Sequence, residues 1–295
     1  MYVIRPKLFR RVFIILLIST FLPYSAFAQA DQGMDVLYRR AVQDTLQGKP
    51  LVIHITVALC DNRVIFCGNE RLGNGDNLST NLYWGAMFGY YQMFMKSKEW
   101  EKVYESTIND TILRRVVFRR TVAPNKFWKD QGIKNNFEVY VVLDAYRGMD
   151  IKKAVEDYFR YLYTDESLAI TFGEKQIIAG GQSHIIGYAG HDYLMGVDEW
   201  PFSEIERKGN LTRGTFVLAC LSEHYFKERI AGDNTHILLL TRSLMAPEAY
   251  TALALIEAFL KGENYQGILD ASARAYAQYQ KISGKAALKV FTNGN

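Results

Sequence analysis

Two short runs end in groups that together could make a nucleophile and its base. "IIGYAGHDYLMG" (Ile185 to Gly196) carries apolar residues into Gly190-His191-Asp192, and "TFVLACLSEHY" (Thr215 to Tyr225) carries them into Cys220. A cysteine attacks as its thiolate, and a nearby imidazole takes or stabilises the proton. His191 and Cys220 are therefore the candidate catalytic pair, and a thiolate favoured by His191 is expected to have a lowered pKa. The 28 residues between them suffice for a crossover between parallel strands. Neighbouring strands lie about 4.8 Å apart, so side chains leaving both ends can converge. His224, four residues after Cys220, is a second possible partner, and Asp192 could pair with the imidazole. Taken alone, Cys220 also reads as a small core residue, because cysteine is among the most buried residue types.

The elements that must position these groups are apolar runs alternating with amphipathic ones. "LVIHITVAL" (Leu51 to Leu59) is the continuous β-branched run of a strand covered on both faces. "FEVYVVLDAY" (Phe137 to Tyr146), "SHIIGYAG", "GTFVLAC" and "THILLLTRS" read as further strands, and "RRVVFRRTV" is another candidate. "NLYWGAMFGYYQMFMKSKEW" reads as a helix beginning near Ser79, Thr80 or Asn81. "DIKKAVEDYFRYLY" reads as an amphipathic helix with Asp150 as N-cap, and two helices close the chain. This order predicts an α/β fold, a mainly parallel sheet flanked by helices on both faces. The runs at Leu51, Phe137, Ser183, Thr215 and Thr235 are expected as parallel neighbours, with chemistry beyond their carboxyl ends.

Strand–Gly-His followed by strand–Ala-Cys resembles the caspase-like cysteine peptidases, including the clostripain, gingipain and CHAT-type relatives. The resemblance covers Ser183 to Ser222, and "ILLLTRSLMAPEAY" follows where another strand and helix belong. It implies a caspase-like three-layer sandwich in which His191 is the acid/base and Cys220 the nucleophile toward a peptide or related acyl substrate. It also suggests the amide of Gly190 or Asp192 as oxyanion donor. The chain departs from the family pattern at Asp192, where glycine is usual, and in "CLSEHYF", where a small residue often follows the cysteine. The alternative is a non-catalytic periplasmic binding or interaction protein that keeps the fold. An accessible thiolate separates the two.

Other residues ask for a role. Cys60 and Cys67 flank a loop after the first strand and, in an oxidising compartment, could close a small disulfide, leaving Cys220 as the odd thiol. They lack C-x2-C spacing and no histidine pair follows, so neither a metal nor a cofactor is expected. Asp61 and Asp144 end strands on the presumed active edge and, with Asp192, could form an acidic substrate-binding rim. The glycine-rich stretch from Gly68 to Ala86 matches no phosphate-binding motif and is expected to wall the pocket, with Tyr83 and Trp84 as an aromatic face. His54 reads as a satisfied core residue, His184 as a strand start, and His236 as the cap of the next strand.

The remaining bounds are coarse. A basic segment, an apolar run and Ala26-Phe27-Ala28 read as a secretory signal peptide over residues 1–28, with an N-terminal membrane anchor as the alternative. An exported protein, periplasmic or extracellular, is expected, with residues 29–295 as a single domain and no later membrane span. Removing the leader takes Lys+Arg from 35 to 31 against 31 Asp+Glu, so the excess of +4 belongs to the leader. Without a basic excess, nucleic acid is not an expected partner; a peptide or protein substrate is. "RRVVFRR" reads as a strand edge rather than a binding patch.

Overall fold

The structure, a computed structural model, describes residues 24–232 and 234–294. The expected leader lies, for residues 1–23, outside the described residues. Helix α1 (Tyr24–Leu46) leads into β1 (Leu51–Ala58), whose eight residues are all buried, as a strand covered on both faces requires. Short α2 (Tyr90–Lys96) precedes an antiparallel pair, β2 (Glu101–Ser106) and β3 (Ile112–Val122). After α3 (Lys126–Asp130) come β4 (Phe137–Tyr146) and α4 (Ile151–Tyr163). A hairpin of β5 (Ser167–Phe172) and β6 (Lys175–Gly180) turns at Gly173, where φ is +57°. Then follow β7 (Ile185–Ala189), β8 (Arg213–Leu218), α5 (Ser222–Ile230) and β9 (Thr235–Thr241). Helices α6 (Ala249–Lys261), α7 (Tyr265–Gln280) and α8 (Gly284–Leu288) precede the two-residue β10 (Phe291–Thr292).

Eight strands form one sheet in the order β10-β9-β8-β7-β1-β4-β3-β2. The central five, β9-β8-β7-β1-β4, are parallel throughout, and they are the five runs expected as parallel neighbours. Antiparallel strands extend both sides. The sheet alternates as the two-residue period demands. Ile185, Ala189, Phe216 and Leu218 face one core with α1, α6 and α7, while Ile186, Tyr188, Val217 and Ala219 face another with α4 and α5. The β5–β6 hairpin covers the rest of that second face, packing Ile170 and Ile177 near Val52, Val117 and Val142. The result is a three-layer α/β sandwich around a large mixed sheet.

Two arginines, one buried and one half-buried, fix the amino ends of the strands that carry the site. Arg213 is 1% exposed; it donates to the carbonyls of Tyr161, Leu162 and Thr164 at the end of α4 and pairs with Asp165. A cation at a helix carboxyl end also meets the negative pole of its dipole. Arg40 on α1 donates to the carbonyls of Gln182, Ser183 and Thr212, tying the entries of β7 and β8 together. The "RRVVFRR" arginines are ion-paired along β3: Arg114 with Glu105, Arg115 with Asp144, Arg119 with Glu101, and Arg120 with Glu99 and Glu257.

One expected element is much shorter than the sequence suggests. Residues 79–89 form successive turns, and the helix starts only at Tyr90. Asn81 is the reason: its side chain accepts from the amides of Cys60 and Tyr83 and donates to the carbonyls of Cys60 and Asn74. That knot folds the chain back on itself, and side chains at Gly85 or Gly89 would collide with the backbone at Leu78 and Trp84 respectively. Asp150 sits at the N-cap position of α4 but makes no capping side-chain bond.

Candidate functional site

β7 and β8 lie side by side, with Ala189 opposite Leu218, so the chain leaves both strands at the same edge. On β7 the exit is Gly190, at φ +156°. Its amide donates to the Leu218 carbonyl at 3.1 Å, so that N–H serves strand geometry and is not free to act as an oxyanion donor. A Cβ on Gly190 would lie 2.9 Å from that of Ala58 and 3.1 Å from the Tyr188 hydroxyl. The same hydroxyl donates to the His191 carbonyl at 2.7 Å and holds the turn.

On β8 the exit is sharper. Cys220 is followed by Leu221 at φ +52°, a left-handed conformation that costs a non-glycine residue about 1–2 kcal/mol. Helix α5 begins at the next residue. The Ser222 hydroxyl donates to the Val217 carbonyl and meets the Thr241 hydroxyl at 3.0 Å, and the Leu221 amide donates to the Ser243 carbonyl. The turn is thus clamped to β9. The segment after β9 closes over the thiol: the Met245 amide donates to Cys220 Sγ at 3.4 Å, and Sγ lies 3.7 Å from the Met245 carbonyl oxygen.

His191, Asp192 and Cys220 line one cavity of about 460 Å³, together with Cys67, Tyr83 and Glu248. Its rim carries exposed apolar side chains, Phe66 at 79% and Leu244 at 69% exposure. Tyr83 meets the His191 ring edge-on at 5.5 Å between centroids. Cys60 and Cys67 are joined as a disulfide, with Cα atoms 6.1 Å apart. His191 Nε2 rests against this bond, 3.3 Å from Cys60 Sγ and 3.0 Å from Cys67 Sγ.

Burial sets the charges. Desolvation pushes the His191 imidazole down to about 4, so it is neutral near pH 7. The Cys220 thiol is pushed up by burial; the Met245 amide opposes the shift and the nearby Asp192 carboxylate adds to it. The lowered thiol expected from the sequence is therefore not found, because a neutral imidazole brings no positive charge to favour a thiolate. Asp192 is itself raised to about 7 by burial, despite accepting from the Leu194 and Met195 amides. Burial raises Glu248 as well, against a hydrogen bond from Tyr250.

Other residues from the expected rim lie elsewhere. Asp144 is wholly buried within β4, held by Arg115 at 2.6 and 2.7 Å and by His54 Nε2 at 3.0 Å; these partners hold it well down, to about 2. Asp61 is buried beneath Arg63, which donates to both its oxygens, and neither aspartate lines the cavity. His224 is exposed on α5 against Tyr225; because the helix starts after Cys220, the two residues do not share a helical face. Trp84 stacks on Tyr91 and is absent from the cavity wall. Among the other histidines, His54 leaves Nδ1 unpartnered in the core, and His184 Nδ1 accepts from the Val52 amide. His236 falls inside β9, beside Gly33 of α1, rather than capping the strand.

Sequence reading gave Glu248 and Met245 no place in the wall, although it expected a further strand and helix over the stretch that holds them. It also missed the contact between His191 and the disulfide, which spans 124 residues and leaves no trace in local spacing. Compared with family models, curated proteins and solved structures, the chain matches none.

Proposed function

We propose that this chain is an exported cysteine-dependent hydrolase of the caspase-like type, acting on a peptide or related acyl substrate through His191 and Cys220. One observation carries the proposal: an imidazole and the one free thiol among the described residues line a single cavity at the carboxyl edge of adjacent parallel strands. In open α/β sheets this edge is where ligands bind. Because both groups rest neutral, the pair works by general-base catalysis. Sγ attacks the acyl carbon as its proton passes to the imidazole, and the imidazolium then gives that proton to the leaving group. Water hydrolyses the resulting thioester with His191 again as base. Such a base contributes about 10²–10⁴-fold.

A second reading, a non-catalytic binding protein, is favoured by the raised thiol and by the placement of Nε2 on the disulfide. The two are separated with a peptidyl acyloxymethyl ketone library and mass spectrometry of the whole chain. The hydrolase acquires one stoichiometric adduct on Cys220 in the folded state, and Cys220→Ala removes both adduct and peptide hydrolysis. A chain that hydrolyses nothing and is modified only after denaturation is the binding protein. Export is tested by N-terminal analysis of protein from its native host, with a start at or near Gln29 expected.

A further inference from the structure

We propose that reduction of the Cys60–Cys67 disulfide turns Cys60, Cys67 and His191 into a three-ligand site for a thiophilic divalent cation, zinc above all. The two sulfurs and Nε2 already lie within 4.8 Å of one another, and Nε2 is 3.0 and 3.3 Å from the sulfurs. Tetrahedral zinc takes thiolate at about 2.3 Å and imidazole at about 2.0–2.1 Å, which sets neighbouring N and S atoms roughly 3.5 Å apart. The nitrogen therefore needs to withdraw by only a few tenths of an ångström.

The larger movement is between the sulfurs, which must part to roughly 3.8 Å in a tetrahedral site. The loop can supply it from one side. Cys60 is fixed by Asn81 through both its amide and its carbonyl. Cys67 follows an exposed run, Val64 to Phe66, and is held mainly by an Asn62 side-chain bond to its amide. Two thiolates and an imidazole form the ligand set that suits zinc. Cys67 and His191 both line the cavity, so the fourth position opens there, as it does in three-ligand sites that keep a place for water or substrate.

The chemistry balances with a small dithiol as reductant. The Cys60–Cys67 bond takes up two electrons and two protons while the dithiol closes to its own disulfide. Zinc then displaces one proton from each cysteine. With Nε2 bound to metal, His191 no longer accepts the Cys220 proton. That consequence rests on the proposed hydrolase, whereas metal binding does not.

The test uses the full chain, reduced with dithiothreitol, freed of it by anaerobic gel filtration, and titrated with Co²⁺ alone. The expected result is one equivalent bound, with the visible d–d bands of tetrahedral cobalt, near-ultraviolet sulfur-to-cobalt charge transfer, and loss of both on adding Zn²⁺. The oxidised chain should show neither, Cys67→Ser should lose the charge-transfer intensity, and Cys220→Ser should retain it. His191→Ala, a substitution in a half-buried loop, should weaken cobalt binding at least about tenfold, the loss seen even when a group behind a ligand is removed. Absence of the bands in the reduced wild type overturns the proposal, as do bands that are unchanged in His191→Ala or lost in Cys220→Ser alone. These spectra are read without substrate, so they stand or fall independently of whether the chain hydrolyses anything.

Discussion

His191 Nε2 stands 3.0 Å from Cys67 Sγ, so the imidazole that the sequence pairs with Cys220 is already engaged by the sulfur of a disulfide. This places an oxidisable bond, a base and a free thiol around one cavity. The charge state follows from burial rather than from pairing, and it makes the site testable in several independent ways.

Alkylation of Cys220 by iodoacetamide should be slow at pH 7 and should climb with pH past the range of an ordinary thiol, since burial disfavours the thiolate. His191→Ala should change that rate by less than about twofold, because a neutral imidazole contributes no charge. Peptide hydrolysis, by contrast, should fall about 10²–10⁴-fold in the same variant. Fast labelling near pH 6 that collapses in His191→Ala would reveal a preformed ion pair instead.

Asp192 should make the folded chain less stable as pH rises. Its carboxyl lies at about 7 against an ordinary 3.8, so the folded state holds a proton that the unfolded state releases. Stability from this group is therefore greatest below about pH 4 and declines until about pH 7. The shift of about three units bounds the effect near 4 kcal/mol, and about 1–2 kcal/mol is expected after relaxation. Asp192→Asn keeps an acceptor for the Leu194 amide and should flatten the slope; equal effects on urea midpoints at pH 5 and 8 would refute the assignment.

Asp144 has the opposite sign. Held near 2, it stabilises the fold above its unfolded value and loses that contribution, about 2 kcal/mol, as pH falls from about 4 toward 2. Arg115→Ala should cost about 3–5 kcal/mol at pH 7 by leaving a buried carboxylate without its bidentate partner. Chemical denaturation across acid pH measures both.

Gly190→Ala should destabilise the chain by about 2–3 kcal/mol, through both the left-handed backbone and the clash with Ala58. Thermal unfolding reads the loss. A variant of wild-type stability would mean that the exit of β7 is more plastic than its contacts imply.

The parallel core was legible because a strand covered on both faces is rich in apolar and β-branched residues along most of its length, and the runs at Leu51, Phe137 and Thr215 are. The β5–β6 hairpin was not: its burial is patchy and half exposed, and "SLAITFGEKQIIAG" follows a helix without a contrasting pattern. The aromatic run at Tyr83 and Trp84 suggested a helix because local propensity says nothing about the Asn81 knot that overrides it. Asp144 was misplaced for a related reason. Position near a strand end does not say which group across the sheet a side chain will meet, and Arg115 meets this one. That His191 and Cys220 leave adjacent strands at one edge was legible because strand endings are a sequence property. Their ionisation was missed because it depends on how deeply the folded chain buries them.

The two outer strands of the sheet have a consequence for behaviour at high concentration. A long, flat, unpaired strand invites another chain to add to it, and sheets that avoid this carry short, charged or irregular edges. Here β10 offers only Phe291 and Thr292, too little for a second ladder. At the far side β2 presents Glu101, Lys102 and Glu105 and breaks register between Lys102 and Tyr104. Along β10 and β2, then, the described sheet offers a second chain little to pair with.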